Sequence, residues 1–217
     1  MPIQLGENFW ILVILMSLEL FLIIIPVFIS ARLENKPLKK EFKEIGFSRE
    51  TKNIYRICLK IVLGIDIGIF LYLFSGFLMF VYRDILIESL FGTEFVEHGI
   101  TNIINTEPIK PSYFEISIVI ILQFLITGPC EEGFFRGFLI QKFNNKFKLI
   151  YSIILSSTFF TLYHVPPFLV PIQTIISYFG YFFTIGSLFA LTFIYSGRSL
   201  IMCSITHSIF NILVLIL

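Results

Sequence analysis

Charge is scarce in this chain: Asp, Glu, Lys and Arg make up 14% of its 217 residues, against 56% hydrophobic residues. A soluble domain carries roughly a quarter charged residues. A water-surrounded globule is therefore excluded, and a polytopic membrane protein is indicated. The net charge of +1 leaves no electrostatic case for a nucleic-acid partner. Cysteine is also sparse. Cys58, Cys130 and Cys203 lie far apart in apolar segments, odd in number and without a CxxC pair, so neither a disulfide frame nor a metal cage is suggested. They read as small apolar residues. The HExxH pattern of zinc peptidases is absent.

Long apolar runs are what the chain has instead. Segments 9–30, 54–82, 112–141, 149–164, 171–195 and 200–217 read as six spans. No lysine or arginine precedes the first run, which is expected to be a retained helix rather than a cleaved signal. Arg56 and Lys60 can snorkel from the start of the second span, and Trp10, Tyr82 and Tyr195 suit interfacial anchors. Gly64 and Gly68 form a small-xxx-small pattern that lets helices approach closely. The expected architecture is an all-α transmembrane bundle of about six to eight helices with an intramembrane polar cavity. It forms one integral domain, with N-terminal helices and polar connections over 1–111 and a C-terminal core over 112–217.

Basic residues cluster in the 32–53 linker (Arg32, Lys36, Lys39, Lys40, Lys43, Arg49, Lys52), in the 142–148 turn (Lys142, Lys146, Lys148) and at Arg198. These loops alternate correctly with six spans if all face the cytoplasm. The 83–111 connection, with Asp84, Glu88, Glu94, Glu97 and Glu107 against Arg83 and Lys110, then faces the other side with both termini.

The chemistry concentrates in three apolar segments. Glu131 and Glu132 follow Gly128-Pro129, read as a helix break, and ionisable residues inside a bilayer are functional by default. Glu132 and Arg136 are an i, i+4 pair on one helix face, while Glu131 is turned away by roughly 100° and stays free to act as a base. The alternative is an ion-pair cluster that only locks helices together. His164 ends the fourth span, and the midpoint between Glu131 and His164 falls in the 142–148 turn, so a hairpin can bring them to similar depth. His207 and Asn211 share a face of the last span and suit stabilising charge on a carbonyl oxygen; the bland reading is interhelical hydrogen bonding. Depth raises a difficulty: His164 lies about 24 Å and His207 about 14 Å along their helices from basic loops on the same side, so an offset of about 10 Å must be absorbed. The Pro-rich stretch after His164, a break near Gly180 or Gly186, tilt or a late helix start could each do so. Glu19 and Asp66 lie mid-span and are expected to bond neighbouring helices or lie near water, outside catalysis. His98 is expected to be solvated.

Glu131-Glu132-x-x-x-Arg136, Phe160-x-x-x-His164 and His207-x-x-x-Asn211 resemble three signature motifs of the CAAX protease and bacteriocin-processing (CPBP, or Abi) family, in family order over about 112–217. Phe182 and Gly186 resemble a less regular fourth motif. The resemblance implies an intramembrane endopeptidase similar to the Ras-converting type. Glu131 and His164 would activate water, Glu132 and Arg136 would orient the site or contact substrate, and His207 and Asn211 would bind the oxyanion. The family has been labelled both metal-dependent and glutamate-dependent. If a metal is present, Glu131, His164 and His207 are its candidate ligands and zinc the candidate ion; a metal-free water needs fewer coincidences and is favoured. The expected substrate is a membrane-associated peptide or lipidated protein, and the cavity is expected to open to the cytoplasm. The other function classes are an immunity or scaffold protein using the same pocket for binding, and a small proton-coupled transporter, against which no inverted repeat is visible.

Overall fold

A computed structural model describes residues 5–6, 8–47, 53–106 and 111–216. Arg49, Lys52, Glu107, Lys110 and Leu217 lie outside the described residues. The fold is all-α, with no strand among the described residues. Its helices are α1 (Phe9–Leu33), α2 (Leu38–Phe42), α3 (Ile54–Phe91), α4 (Thr93–Thr101), α5 (Tyr113–Asn144), α6 (Leu149–His164), α7 (Ile172–Tyr195) and α8 (Leu200–Ile216).

Six long helices thus stand where the sequence places spans. Of these, α1, α3, α5 and α7 are long and apolar enough to cross a membrane. Their outward faces carry exposed Trp10, Phe21, Phe70, Leu73 and Phe77, as lipid contact requires. The remaining two, α6 and α8, have 16 and 17 residues and bury hydroxyls such as Ser152, Ser156, Thr161 and Thr206. Both also expose apolar side chains on the outside of the bundle, among them Ile150, Tyr151 and Phe159 of α6 and Ile216 of α8.

Three boundaries differ from expectation. Helix α3 does not stop at Tyr82 but runs through wide π-helical turns at Phe80–Ile87 to Phe91. Tyr82 is no interfacial anchor: its hydroxyl donates to the Ile176 carbonyl at 3.1 Å and its ring packs on Gly180. Trp10 and Tyr195, by contrast, are exposed. Second, part of the 83–111 connection folds as α4, docked on α7, where Thr174 Oγ1 donates to the Gly99 carbonyl at 2.9 Å. Third, Gly128-Pro129 does not break α5. Pro129 starts the short α-helical stretch Gly128–Glu132 between two π-helical turns, Gln123–Thr127 and Gly133–Leu139. The wider turns absorb the missing proline N–H. Each also hands a carbonyl to a neighbouring helix: Ser208 Oγ donates to Gln123 O at 2.7 Å and Ser156 Oγ to Phe135 O at 2.6 Å.

The depth difficulty is resolved at α8. A Cβ on Gly64 would lie 2.9 Å from the Met202 carbonyl, and one on Gly68 2.8 Å from Ile209 and the Thr206 carbonyl. The two helices therefore run parallel in close contact, as the small-xxx-small pattern predicts. Gly64 is ten residues into α3 and Met202 two into α8, so α8 starts about 12 Å deeper. The chain at Ile45–Gly46 occupies the space below: Gly46, at φ +110°, would place a Cβ 3.0 Å from the Arg198 carbonyl. Helix α7 is continuous through Gly180 and Gly186, so neither breaks it.

Around α2, charges are paired. Lys142 Nζ reaches Glu34 and fully buried Glu41 at 2.6 Å each, Ser30 Oγ donates to Glu41 at 2.8 Å, and Lys36 bridges Glu34 and Glu44. Hydrogen bonds from Lys142 and Lys36 pull the Glu34 carboxyl down to about 2.

The Gly68 contact gives a direct test of this packing. Gly68→Leu is expected to destabilise the detergent-solubilised protein by about 1–3 kcal/mol. Gly76→Leu, where a Cβ meets nothing within 4 Å, should stay within about 0.5 kcal/mol of wild type. Thermal unfolding of the two variants measures both.

Candidate active site

Glu131 and Glu132 stand on the stretch of α5 between the two widened turns, and both are buried. Successive helical residues diverge by about 100°, and the two carboxylates accordingly meet different neighbours. Glu132 is saturated. Its Oε1 accepts from His207 Nδ1 at 2.8 Å and faces Arg136 Nη1 at 3.0 Å, the latter as an ion pair without hydrogen-bond alignment. Its Oε2 accepts from Cys203 Sγ at 2.7 Å. Cys203 is thus a partner of the charged centre rather than the apolar filler expected from the sequence.

Arg136 is fully buried. Its Nη2 donates to the Gly186 carbonyl at 3.0 Å, and its guanidinium lies 4.3 Å from the Phe160 ring centroid. Cation–π contact of this kind is favourable for a desolvated arginine. Gly186 is required small, since a Cβ would sit 2.9 Å from Phe160 Cδ1. Phe182, the other residue of the fourth motif, packs 4.8 Å from His164 between ring centroids.

The two histidines have fixed tautomers in their neutral forms. His164 Nδ1 lies 2.9 Å from the Phe160 carbonyl, which can only accept, so Nδ1 carries the hydrogen and Nε2 is left as acceptor. His207 Nδ1 likewise donates to the Glu132 carboxylate. Phe189 stacks on His207 at 4.7 Å, fixing the ring plane. Both Nε2 atoms point at Glu131: its Oε2 is 4.0 Å from His164 Nε2 and 3.9 Å from His207 Nε2. That oxygen is buried with no hydrogen-bond partner among the described residues. Separations of about 4 Å are too long for direct bonds and suit one bridging water. Such a water would donate one hydrogen to Glu131 Oε2 and the other to an imidazole Nε2.

Glu131, Glu132, Arg136, His164 and His207 are therefore brought together. Asn211 follows His207 by one turn, but its Nδ2 donates to Gln123 Oε1 at 3.2 Å. Among the described residues, no group of three His, Cys, Asp or Glu side chains is arranged to hold a metal ion. His98 is exposed, as expected.

Sequence reasoning missed two contacts: Gln123 holds Asn211, and Cys203 holds Glu132. Glu19 on α1 bonds a neighbouring helix, as expected, accepting from Tyr163 Oη at 2.9 Å.

An apolar bundle, four of whose helices are long enough to cross a membrane, thus closes around two glutamates, an arginine and two imidazoles. Residues 113–213 match the family model described as type II CAAX prenyl endopeptidase Rce1-like. This C-terminal segment is similar to that family, in agreement with the CPBP resemblance, and the four long apolar helices mark an integral membrane protein. No curated protein matches the chain, and no solved structure does.

The ion pair predicts an asymmetry in mutants. Arg136→Met leaves Glu132 buried without its cation and should cost about 3–5 kcal/mol of stability. Glu132→Gln combined with Arg136→Met should recover a large part of that loss, read as the thermal unfolding midpoint in detergent.

Proposed function

We propose that the protein is an intramembrane endopeptidase of the CAAX prenyl type, hydrolysing a peptide bond in a hydrophobic or lipid-modified, membrane-associated substrate. The observation that carries the reading is the unpartnered Glu131 Oε2, 4.0 and 3.9 Å from the Nε2 atoms of His164 and His207. In the proposed reaction Glu131 takes a proton from the water while His164 Nε2 accepts the other hydrogen and aims the oxygen. The new C–O bond forms at the scissile carbonyl, whose electron pair moves onto its oxygen. His207, as an imidazolium balanced by Glu132, donates from Nε2 to that oxyanion. Asn211 joins it on exchanging Gln123 for substrate. Collapse breaks the C–N bond, and the proton held by Glu131 passes to the leaving amine. The reaction uses bare water, and Arg136 serves by holding Glu132 rather than by touching substrate.

The cytoplasmic opening of the site belongs to the same reading and rests on the basic loops. His164 lies at the α6 end remote from the basic turn, beside the exposed Phe168 and Leu169. Peptides from the cytoplasm would therefore enter between helices from the basic face.

The assay is cleavage of a prenylated CAAX peptide by the purified full-length protein. Wild type is expected to release the C-terminal tripeptide. Glu131→Gln and His164→Ala should each lower kcat by about 10²–10⁴-fold. Equal turnover by all three would remove these residues from the chemistry, and intact peptide held by wild type would identify a binder instead. Sidedness is read by maleimide labelling of single cysteines in sealed vesicles in a Cys58→Ser background. Cysteine at Asn145 should label from the cytoplasmic side and at Phe168 from the opposite side; the reverse pattern would turn the His164 end to the cytoplasm.

A further inference from the structure

Between Ser117 and Thr127 the sequence of α5 is apolar except for one side chain, Gln123. A carboxamide inside a membrane-spanning helix costs free energy unless it is hydrogen-bonded, and a leucine there would avoid that cost. Gln123 also opens the π-helical turn Gln123–Thr127. Widened turns of this kind recur at functional sites.

Both polar ends of Gln123 meet α8 on the turn that carries His207. The backbone carbonyl accepts from Ser208 Oγ at 2.7 Å. The side-chain Oε1 accepts from Asn211 Nδ2 at 3.2 Å, the one hydrogen bond of the Asn211 side chain among the described residues. His207 is fixed from the same helix, through Nδ1 on Glu132 at 2.8 Å. Helix α5 therefore orients both members of the oxyanion pair, with Glu132 holding the imidazole and Gln123 the carboxamide.

Attachment of one helix to the other does not need the Gln123 side chain. Gly128 already brings α5 against α8, since a Cβ there would lie 2.9 Å from the Ser204 carbonyl, and the Ser208 hydroxyl adds a bond to the Gln123 main chain. Gln123 and Asn211 are half-buried, whereas His207 and Glu132 are sealed. An unrestrained asparagine carboxamide can turn back to carbonyls of its own helix. Bonded to Gln123, Asn211 instead aims an N–H at an amide oxygen, the same acceptor that a scissile peptide carbonyl presents. Trading one amide acceptor for another is nearly neutral in free energy, so a substrate displaces Gln123 at little cost and meets a donor already aimed.

We propose that Gln123 is a positioning residue for the reaction: it holds Asn211 in its donor orientation until a substrate carbonyl takes the place of the Gln123 oxygen. The inference rests on the peptidase reading above. It adds a residue that acts only through Asn211.

The test is a double-mutant cycle on the full-length protein with the prenylated CAAX peptide, with kcat and KM measured separately and thermal unfolding read alongside. Gln123→Met keeps side-chain length and removes the acceptor. It should lower kcat about 10–100-fold, no further than Asn211→Ala does, with KM within about threefold of wild type. Gln123→Glu retains an acceptor oxygen at the same reach and should keep kcat within about fivefold of wild type. In an Asn211→Ala background, adding Gln123→Met should change kcat less than about twofold, because the residue it positions is gone. Single-turnover measurements with excess enzyme read the slow variants. Wild-type kcat in Gln123→Met or in Asn211→Ala, the same loss from Gln123→Met in both backgrounds, or a Gln123→Glu variant as slow as Gln123→Met overturns the proposal and leaves the peptidase reading intact. If Gln123→Met does not fold, Gln123→Ala takes its place in the cycle. A folded wild type that cleaves nothing overturns the peptidase reading and this inference with it.

Discussion

A carboxylate buried among helices is stable only if something offsets its lost hydration, and the arrangement of this bundle follows from how Glu132 meets that requirement. One oxygen takes the Arg136 charge and the His207 imidazole, the other the Cys203 thiol. Arg136 must then be satisfied in turn, which the Gly186 carbonyl and the Phe160 ring accomplish. Through this one residue α5, α6, α7 and α8 acquire a common register. Pairing so complete leaves little chemistry to Glu132 itself. It frees Glu131, one residue earlier and turned by about 100°, to face two oriented imidazoles without a salt-bridge partner.

Helix length follows from the same centre. The two helices that deliver the imidazoles are the short ones, whose inward faces are rich in hydroxyls. The late start of α8 brings His207 to the depth of His164. That start depends on glycines at 64 and 68, where α3 and α8 touch, and on Gly46, whose positive φ turns the chain beneath Arg198. Stability and function therefore meet at positions well away from the carboxylates: backbone approach near the basic end sets where an imidazole arrives in the middle of the bundle.

Local periodicity made much of this legible. Spacing of i, i+4 placed Glu132 with Arg136 and separated Glu131 from both, and the turn midway between Glu131 and His164 set up the hairpin. The same reasoning paired His207 with Asn211 on one face, yet it could not say what that face meets; His207 turns to Glu132 and Asn211 to Gln123. Pro129 was read as a break because a regular helix cannot accept it, whereas a widened turn can. Glu19 was expected to bond a neighbouring helix and does, but its partner Tyr163 is 144 residues away in sequence, a distance at which no spacing rule operates. Contacts that close a site from distant helices depend on packing register, which here hinges on glycine contacts and widened turns rather than on hydrophobic pattern.

We propose that Glu131 and the two imidazoles activate a bare water. Peptide cleavage by the purified protein before and after exhaustive treatment with a zinc chelator is the decisive measurement. Equal turnover is expected in both samples, lost on Glu131→Gln. Turnover abolished by the chelator and restored by stoichiometric zinc would contradict it, and would assign the space between Glu131, His164 and His207 to a metal-bound water.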